Sequence, residues 1–367
     1  MNDNDRLIRK YNSLHSHLKS SDAENLIQDP NVNVCWINPK AKPEKKNKNF
    51  YTYTERDFTD LTKKLNELYE REEHLKNLGY NLDGIKCFNR NVSMDISKNS
   101  TELEGIFEDF DLDLMDLRLK FKGKFAADPK GKFSRHSYFK QLKAHQETML
   151  ELNDSIVISG KNQQHLISLE TAMHYMAFKY MYRCAKYDRM KDVTPEEFYE
   201  TLHNASCLLS GLEINRFRTI PVYLKKAGYY DNPNWTPSRV DRINDEISAL
   251  TNSLYFDKDI INLHPLIKSA LFHVEFVRIH PFLDGNGRTA RLMSNYILIS
   301  EEVPAISITS NDLYKYHDAI STAVETHNLD KMIDLFYNSM LRAIDGIDKC
   351  LTYIEHKKNV VNQEKTL

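Results

Sequence analysis

The stretch that most constrains this chain is His280-Pro281-Phe282-Leu283-Asp284-Gly285-Asn286-Gly287-Arg288-Thr289-Ala290-Arg291. An apolar run ending in Phe276-Val277-Arg278-Ile279 precedes it, and Leu292-Met293-Ser294-Asn295-Tyr296-Ile297-Leu298-Ile299 follows. Both flanks carry helical patterning, so the segment reads as helix, tight glycine-rich loop, second helix. Gly285 and Gly287 allow backbone conformations closed to other residues. The loop can therefore aim several N–H groups at one point, at the positive end of the second helix, where a phosphate would be held. Arg288 and Arg291 lie in the first turn of that helix, an unfavourable place for cations unless an anion sits above them.

Asp-Gly and Asn-Gly are also ordinary turn dipeptides, and a single histidine is usually no more than a polar side chain. The joint pattern is far more specific. It resembles the signature of the Fic (Fic/Doc) family, His-x-Phe-x-Asp/Glu-Gly-Asn-Gly-Arg-x-x-Arg, with every fixed position present. The resemblance implies a mainly α-helical Fic fold with a small β-hairpin flap. It also implies a nucleotidyltransferase reaction, in which AMP passes from ATP to a Ser, Thr or Tyr hydroxyl of a target protein, with self-modification.

On that reading His280, with an ordinary pKa of ~6.5, takes the proton of the incoming hydroxyl. Asp284 is the carboxylate suited to Mg²⁺ bridging phosphate oxygens. Gly285, Asn286 and Gly287 offer N–H groups to the α- and β-phosphates, and Asn286 its amide as well. Arg288 and Arg291 offer forked donors to the outer phosphates, while Phe282 packs under the loop. Family nucleotide contacts carried onto this chain fall on Val222, Tyr223, Leu224 and Lys225 and, near the adenine, on Tyr316 and His317. The family's phosphotransferase branch departs at the second loop glycine, and Gly287 is intact here. Transfer of another group, removal of AMP, and a non-catalytic nucleotide-sensing interaction protein remain alternatives.

A second match lies in Ser97-Lys98-Asn99-Ser100-Thr101-Glu102-Leu103-Glu104-Gly105-Ile106. Ser or Asn would open a short helix here. Ser100-x-x-x-Glu104-Gly105 resembles the inhibitory helix of one Fic subclass, Ser/Thr-x-x-x-Glu-Gly/Asn. The resemblance implies that Glu104 pairs with Arg291 and denies it to the γ-phosphate.

Phe217-Arg218-Thr219-Ile220-Pro221-Val222-Tyr223-Leu224 is short, β-branched and aromatic, and reads as a hairpin with Pro221 marking an edge strand. It resembles the Fic flap, and a protein target would dock along residues 217–224. Asn215 stands where the family often has glycine.

The remaining chain is helical in pattern. Residues 57–78 place Leu61, Leu65, Leu68, Leu75 and Leu78 on one stripe, with Gly79 as a stop. Residues 162–187 carry Leu166, Leu169, Met173, Met176, Tyr180 and Cys184. Thr194-Pro195-Glu196-Glu197 is a capping box for a helix to about Leu209. Thr236-Pro237 starts another and Pro265 a further one. Ser310-Asn311-Asp312 caps a helix with Tyr314, Tyr316, Ile320 and Ala323, and Leu329–Leu341 forms the next. Residues 39–48 read as an exposed loop. The basic stretch with interleaved aromatics at 118–140 reads as a loop with wet lysines rather than a nucleic-acid surface.

The domain reading is a helical extension of unknown role over 1–94, a Fic catalytic domain over 95–345, and a polar tail over 346–367. A formal net charge of -2 gives no polycationic argument for nucleic acid. Five scattered cysteines without metal spacing fit a reducing cytosol, and no apolar run reaches the ~18 residues of a membrane span. The expectation is a soluble cytoplasmic protein with ATP and a protein target as partners; a homo-oligomer is left open.

Overall fold

The computed structural model describes residues 32–36, 50–80, 83–104, 163–186, 194–207, 216–222 and 235–364. Among them two strands, β1 (Val32–Trp36) and β2 (Phe50–Thr54), pair antiparallel, with Val32 opposite Thr54 and Trp36 opposite Phe50. The rest is helical: α1 (Thr59–Asn77), α2 (Asp83–Glu102), α3 (Gln163–Lys186), α4 (Pro195–Ser206), α5 (Ile243–Phe256), the short α6 (Lys258–Ile261), α7 (Pro265–Ile279), α8 (Asn286–Ser300), α9 (Leu313–Thr326) and α10 (Asp330–Glu364). The mainly α expectation therefore holds.

The centre of the fold is α7 packed on α8. Helix α7 buries residues on every face, polar ones included, from Lys268 and Ser269 to His273 and Glu275. A helix apolar or buried all round belongs to a core; its neighbours are α5, α8, α9 and α10. Pro265 opens it at the first-turn position, and the ring of His264 accepts from Leu266 N–H at 3.2 Å. Proline suits this position because its missing N–H would have had no helical partner. Thr194 caps α4 in the same way, accepting from Glu197 N–H at 3.2 Å.

Several expectations are corrected. The segment around Ser97 does not open a short helix. It is the last turn of the 20-residue α2, which starts at Asp83, so a boundary at 94/95 would cut through a continuous helix. Residues 346–364 are not a tail but the second half of α10, whose Leu351 and Ile354 are buried. Thr236-Pro237 does not start a helix. Ser238 follows in extended chain, and α5 begins only after a 3₁₀ turn at Val240–Arg242. Residues 216–222 form bends rather than a strand, and the remainder of the expected hairpin lies outside the described residues, as do residues 39–48 and 118–140.

The N-terminal region is not wholly helical either. Its hairpin is anchored in the helical body: Thr52 N–H donates to His327 O at 2.7 Å, and Leu329 N–H to Thr52 O at 2.9 Å. Tyr51 is fully buried and its hydroxyl donates to Glu275 of α7. Phe58, just before α1, stacks on His264 with centroids 3.9 Å apart. The N-terminal region thus touches α7 near both ends.

Candidate active site

His280 is the residue that ends α7. Its φ of 54° and ψ of 60° place it in the left-handed region, which costs a residue with a Cβ roughly 1–2 kcal/mol. The turn is held from outside. The Arg218 guanidinium, only 4% of whose residue surface is exposed, donates to His280 O at 2.7 Å, to Ile220 O at 3.1 Å and to Ser238 O. Arg218 N–H also donates to Pro281 O at 2.8 Å. A cation there also complements the negative end of α7.

The imidazole of His280 has one nitrogen committed. Nδ1 lies 3.2 Å from Val277 O, an acceptor, so it carries the proton. Nε2 is then the lone-pair nitrogen. Burial pushes the ring down to about 4; the Val277 carbonyl opposes this, and Arg218 adds to it. His280 is therefore neutral at pH 7 and able to accept a proton.

The loop after it is a closed unit. Asn286 accepts from Phe282 N–H and donates to Phe282 O, both at 2.9 Å. Its amide is spent on the loop and is not presented to a phosphate, contrary to expectation. Phe282 stacks on His203 of α4 at 3.8 Å, and His203 Nε2 lies 2.8 Å from Asp284 O. Gly285 has φ 75°, and a Cβ there would come within 2.6 Å of Cys207 Sγ and 2.9 Å of His203 Nε2. His203 and Cys207 thus hold the loop from behind; neither carries a sequence signal of its own beyond lying on α4 or just after it.

Asp284 is the open carboxylate, with its side chain 54% exposed. Its Oδ1 accepts from Gly285 N–H at 2.6 Å and its Oδ2 lies 3.7 Å from Arg288. Burial, the largest influence, raises its pKa. Among the described residues no group of three His, Cys, Asp or Glu side chains could hold a metal by itself. One carboxylate facing a phosphate cradle fits Mg²⁺, which takes one or two protein carboxylates and fills its shell from phosphates and water.

Helix α8 starts at Asn286 with no side-chain cap, so its first N–H groups have no partner within the helix. Arg288 and Arg291 are buried there, their side chains 3% and 5% exposed. Arg291 is fully engaged. Its Nε donates to Ser100 Oγ at 2.9 Å, Nη2 to Ser100 O at 2.7 Å and to Glu104 Oε1 at 2.7 Å, and Nη1 to Tyr316 OH at 3.0 Å. Burial works to raise the pKa of Glu104, but Arg291 and Arg288 outweigh it and hold it below the usual carboxylate range. The structure thus brings Ser100 and Glu104 onto Arg291. Gly105 lies outside the described residues.

Gly287 makes that approach possible, since a Cβ there would meet Glu104 Oε1 at 2.6 Å and Arg291 Nη1 at 3.1 Å. Tyr316, expected beside an adenine, is instead buried under Arg291. It accepts from Nη1, and its ring lies 5.5 Å from the guanidinium carbon. Its own hydroxyl proton goes to His273 Nε2 at 3.0 Å, and His273 Nδ1 donates to Ser294 Oγ at 2.9 Å. His317 is half-buried on the same helix. Val222, also half-buried, is described, whereas Tyr223, Leu224 and Lys225 lie outside the described residues.

The model of the Fic/DOC family matches residues 194–298, from the cap of α4 into α8. Over this stretch the chain is similar to the Fic/DOC family. The fold extends beyond it: a Fic domain-containing signaling protein from Bacteroides thetaiotaomicron aligns with a TM-score of 0.55 at 19% identity, over 80% of this chain and 97% of that one. Fic-1 from C. elegans aligns with a TM-score of 0.50 at 15% identity, over 79% of this chain and 72% of that one. In sequence, the chain is 34% identical over 112 residues to the protein adenylyltransferase Fic of Nematostella vectensis, covering 30% of this chain and 24% of that protein. It is 26% identical over 182 residues to the protein adenylyltransferase Fic of Aedes aegypti, covering 49% of this chain and 34% of that protein. The chain therefore spans only a quarter to a third of the length of these curated relatives. Among the described residues, no helix is long and apolar enough to cross a membrane.

Proposed function

We propose that this chain is a protein adenylyltransferase, moving AMP from ATP to a hydroxyl side chain of a target protein, and that Glu104 holds it in a restrained state. The observation that carries the reading is the pairing of a neutral His280, with its Nε2 available, and an α8 N-terminus flanked by Arg288 and Arg291. Relatives with the same domain bear that name.

The residues divide the work. Nε2 of His280 takes the hydroxyl proton, the freed oxygen forms a bond to the α-phosphorus, and the bond to pyrophosphate breaks. The α8 N–H groups and Arg288 hold the polyphosphate; Arg291 would hold its outer end once released. Asp284 would hold Mg²⁺, which supplies neutralisation of phosphate charge when bound. The target segment would lie along 217–224, whose root Arg218 ties to His280. With Glu104 on Arg291, the outer phosphate has lost its partner, and ATP is held in a pose unfit for in-line attack.

The test is mass spectrometry of Glu104→Gly protein incubated with Mg²⁺ and, separately, ATP, UTP and CDP-choline. An added AMP on a Ser, Thr or Tyr of the chain itself is expected with ATP alone. A UMP or phosphocholine adduct would replace the donor. Nucleotide binding without product from any donor would make the chain a sensor and end the transferase reading.

A further inference from the structure

The N-terminal hairpin has no part in the mechanism above, yet a buried polar chain runs from it to the turn that carries His280. Tyr51 OH donates to Glu275. Glu275 receives Arg278 Nε at 2.7 Å, and Arg278 Nη2 donates to Glu246 Oε2 at 2.8 Å. Arg278 Nη1 reaches Ser238 Oγ at 2.9 Å, while Ser238 OH donates to Glu246 Oε2 at 2.6 Å. The backbone of Ser238 completes the path, since its N–H donates to Arg278 O at 3.3 Å and its carbonyl accepts from Arg218. Arg218 in turn holds the carbonyls of His280 and Pro281.

Two arginines and two glutamates are thus interleaved with two hydroxyls, largely shielded from water, with the Arg278 and Glu246 side chains 15% and 11% exposed. Burial alone would lower the pKa of Arg278, but Glu275 and Glu246 push it well above its ordinary value. Such a cluster gives little net stability compared with apolar packing, whereas removing one member leaves a costly orphan. What it does supply is a single geometry. That matters here because His280 is a residue with a Cβ at positive φ, in a conformation it keeps only while its surroundings over-determine it.

We infer that Tyr51 is a positioning residue: through Glu275, Arg278, Ser238 and Arg218 it sets the orientation of His280 for proton transfer, so the Tyr51 hydroxyl is a working part of the transferase site. The inference rests on the adenylyltransferase reading. Tyr51 touches no reacting atom, and its influence is on the aim of Nε2. The loop and Arg291 stand on α8 and are braced by His203, Asn286 and Tyr316, so nucleotide affinity stays outside its reach.

The experiment uses full-length Glu104→Gly protein as parent, with Tyr51→Phe, Ser238→Ala, both together, and Thr54→Val added to it. Tyr51→Phe keeps the ring and removes only the hydroxyl. Thr54→Val removes an exposed hydroxyl from the same strand, the one paired to Asp330. Expected is a fall in kcat on the order of tenfold for Tyr51→Phe with KM for ATP within about twofold, short of the ~10²-fold that a full ångström of misplacement brings. The double variant should lose no more than the worse single one, since both cut one path, and Thr54→Val should match the parent. An inactive parent would remove the transferase reading itself. With an active parent, an unchanged kcat in Tyr51→Phe, a loss confined to KM, an additive double variant, or an equal loss in Thr54→Val would each overturn the positioning role.

Discussion

Glu104 Oε1 lies 2.7 Å from Arg291 Nη2, although 187 positions separate the two residues in the chain. The contact is assembled from both sides. Helix α2 and the turn that follows it deliver Ser100 and Glu104 together, and the bare Cα of Gly287 leaves the space the carboxylate fills. On the far side, Tyr316 and His273 pass hydrogen bonds inward, so the guanidinium has one orientation. The pair is held by more than its own charge.

Glu104→Gly should therefore raise AMP incorporation by at least about tenfold, equivalent to ~1.4 kcal/mol of barrier, while Arg291 keeps its contacts to Ser100 and Tyr316. Labelled ATP and gel autoradiography read this directly. Equal incorporation by wild type and variant would take the restraint out of the proposal.

His280→Ala in the Glu104→Gly background should cut turnover by roughly 10²-fold or more, as expected for a lost general base. The pH profile carries more detail. Because the His280 pKa is pushed down to about 4, the ring remains neutral from pH 8 to pH 5, and kcat/KM should fall only as pH drops toward 4. An acid limb near 6.5 would mean that the base is not a buried imidazole.

Gly285→Ala should destabilise the fold. The positive φ costs ~1–2 kcal/mol for any residue with a Cβ, and overpacking against Cys207 and His203 adds typically 1–3 kcal/mol. Chemical denaturation of the variant reads the sum. A midpoint equal to wild type would show that the loop relaxes away from α4.

Stability should also fall on acidification, starting well above the carboxylate range. Burial lowers His174 and His273 to about 3, and His203, His264 and His280 to about 4. Each binds a proton in the unfolded chain below pH ~6.5 but not in the folded one until far lower, so the stability it contributes is complete above 6.5 and is lost as pH falls toward 3–4. Glu104, held low by its arginines, adds a loss at the acid end of that range. Melting temperature measured between pH 7.5 and 4.5 should decline throughout; a flat curve would contradict the buried neutral histidines.

Much of this was legible from the residues. The spacing of His280, Asp284, Gly285, Gly287, Arg288 and Arg291 announced the helix–loop–helix of α7 and α8, and the apolar periods of 57–78 and 162–187 gave α1 and α3 nearly to the residue. What escaped had physical causes. Ser100 and Asn99 look like helix openers because their side chains cap so well, yet here they sit in a last turn, where Ser100 serves Arg291 and Asn99 binds Ser307 at 3.0 Å. Asn286 was read as a phosphate ligand because sequence cannot say where an amide points. Tyr316 was placed near the adenine only by resemblance to the family, whereas its hydroxyl, set between Arg291 and His273, decides its place. Strands β1 and β2 are only five residues each, set in an Asn- and Lys-rich region, and β2 is held to the helical body by His327 and Leu329, far along the chain.

The continuity of α2 has a practical side. Cutting the chain at residue 95, where a domain border suggests itself, would shorten the lever bearing Glu104 to about two turns and discard Tyr51 in the same stroke. One deletion would then loosen the brake and disturb the aim of the base, with opposing effects on rate. A fragment of ordinary activity could thus hide two large and cancelling changes.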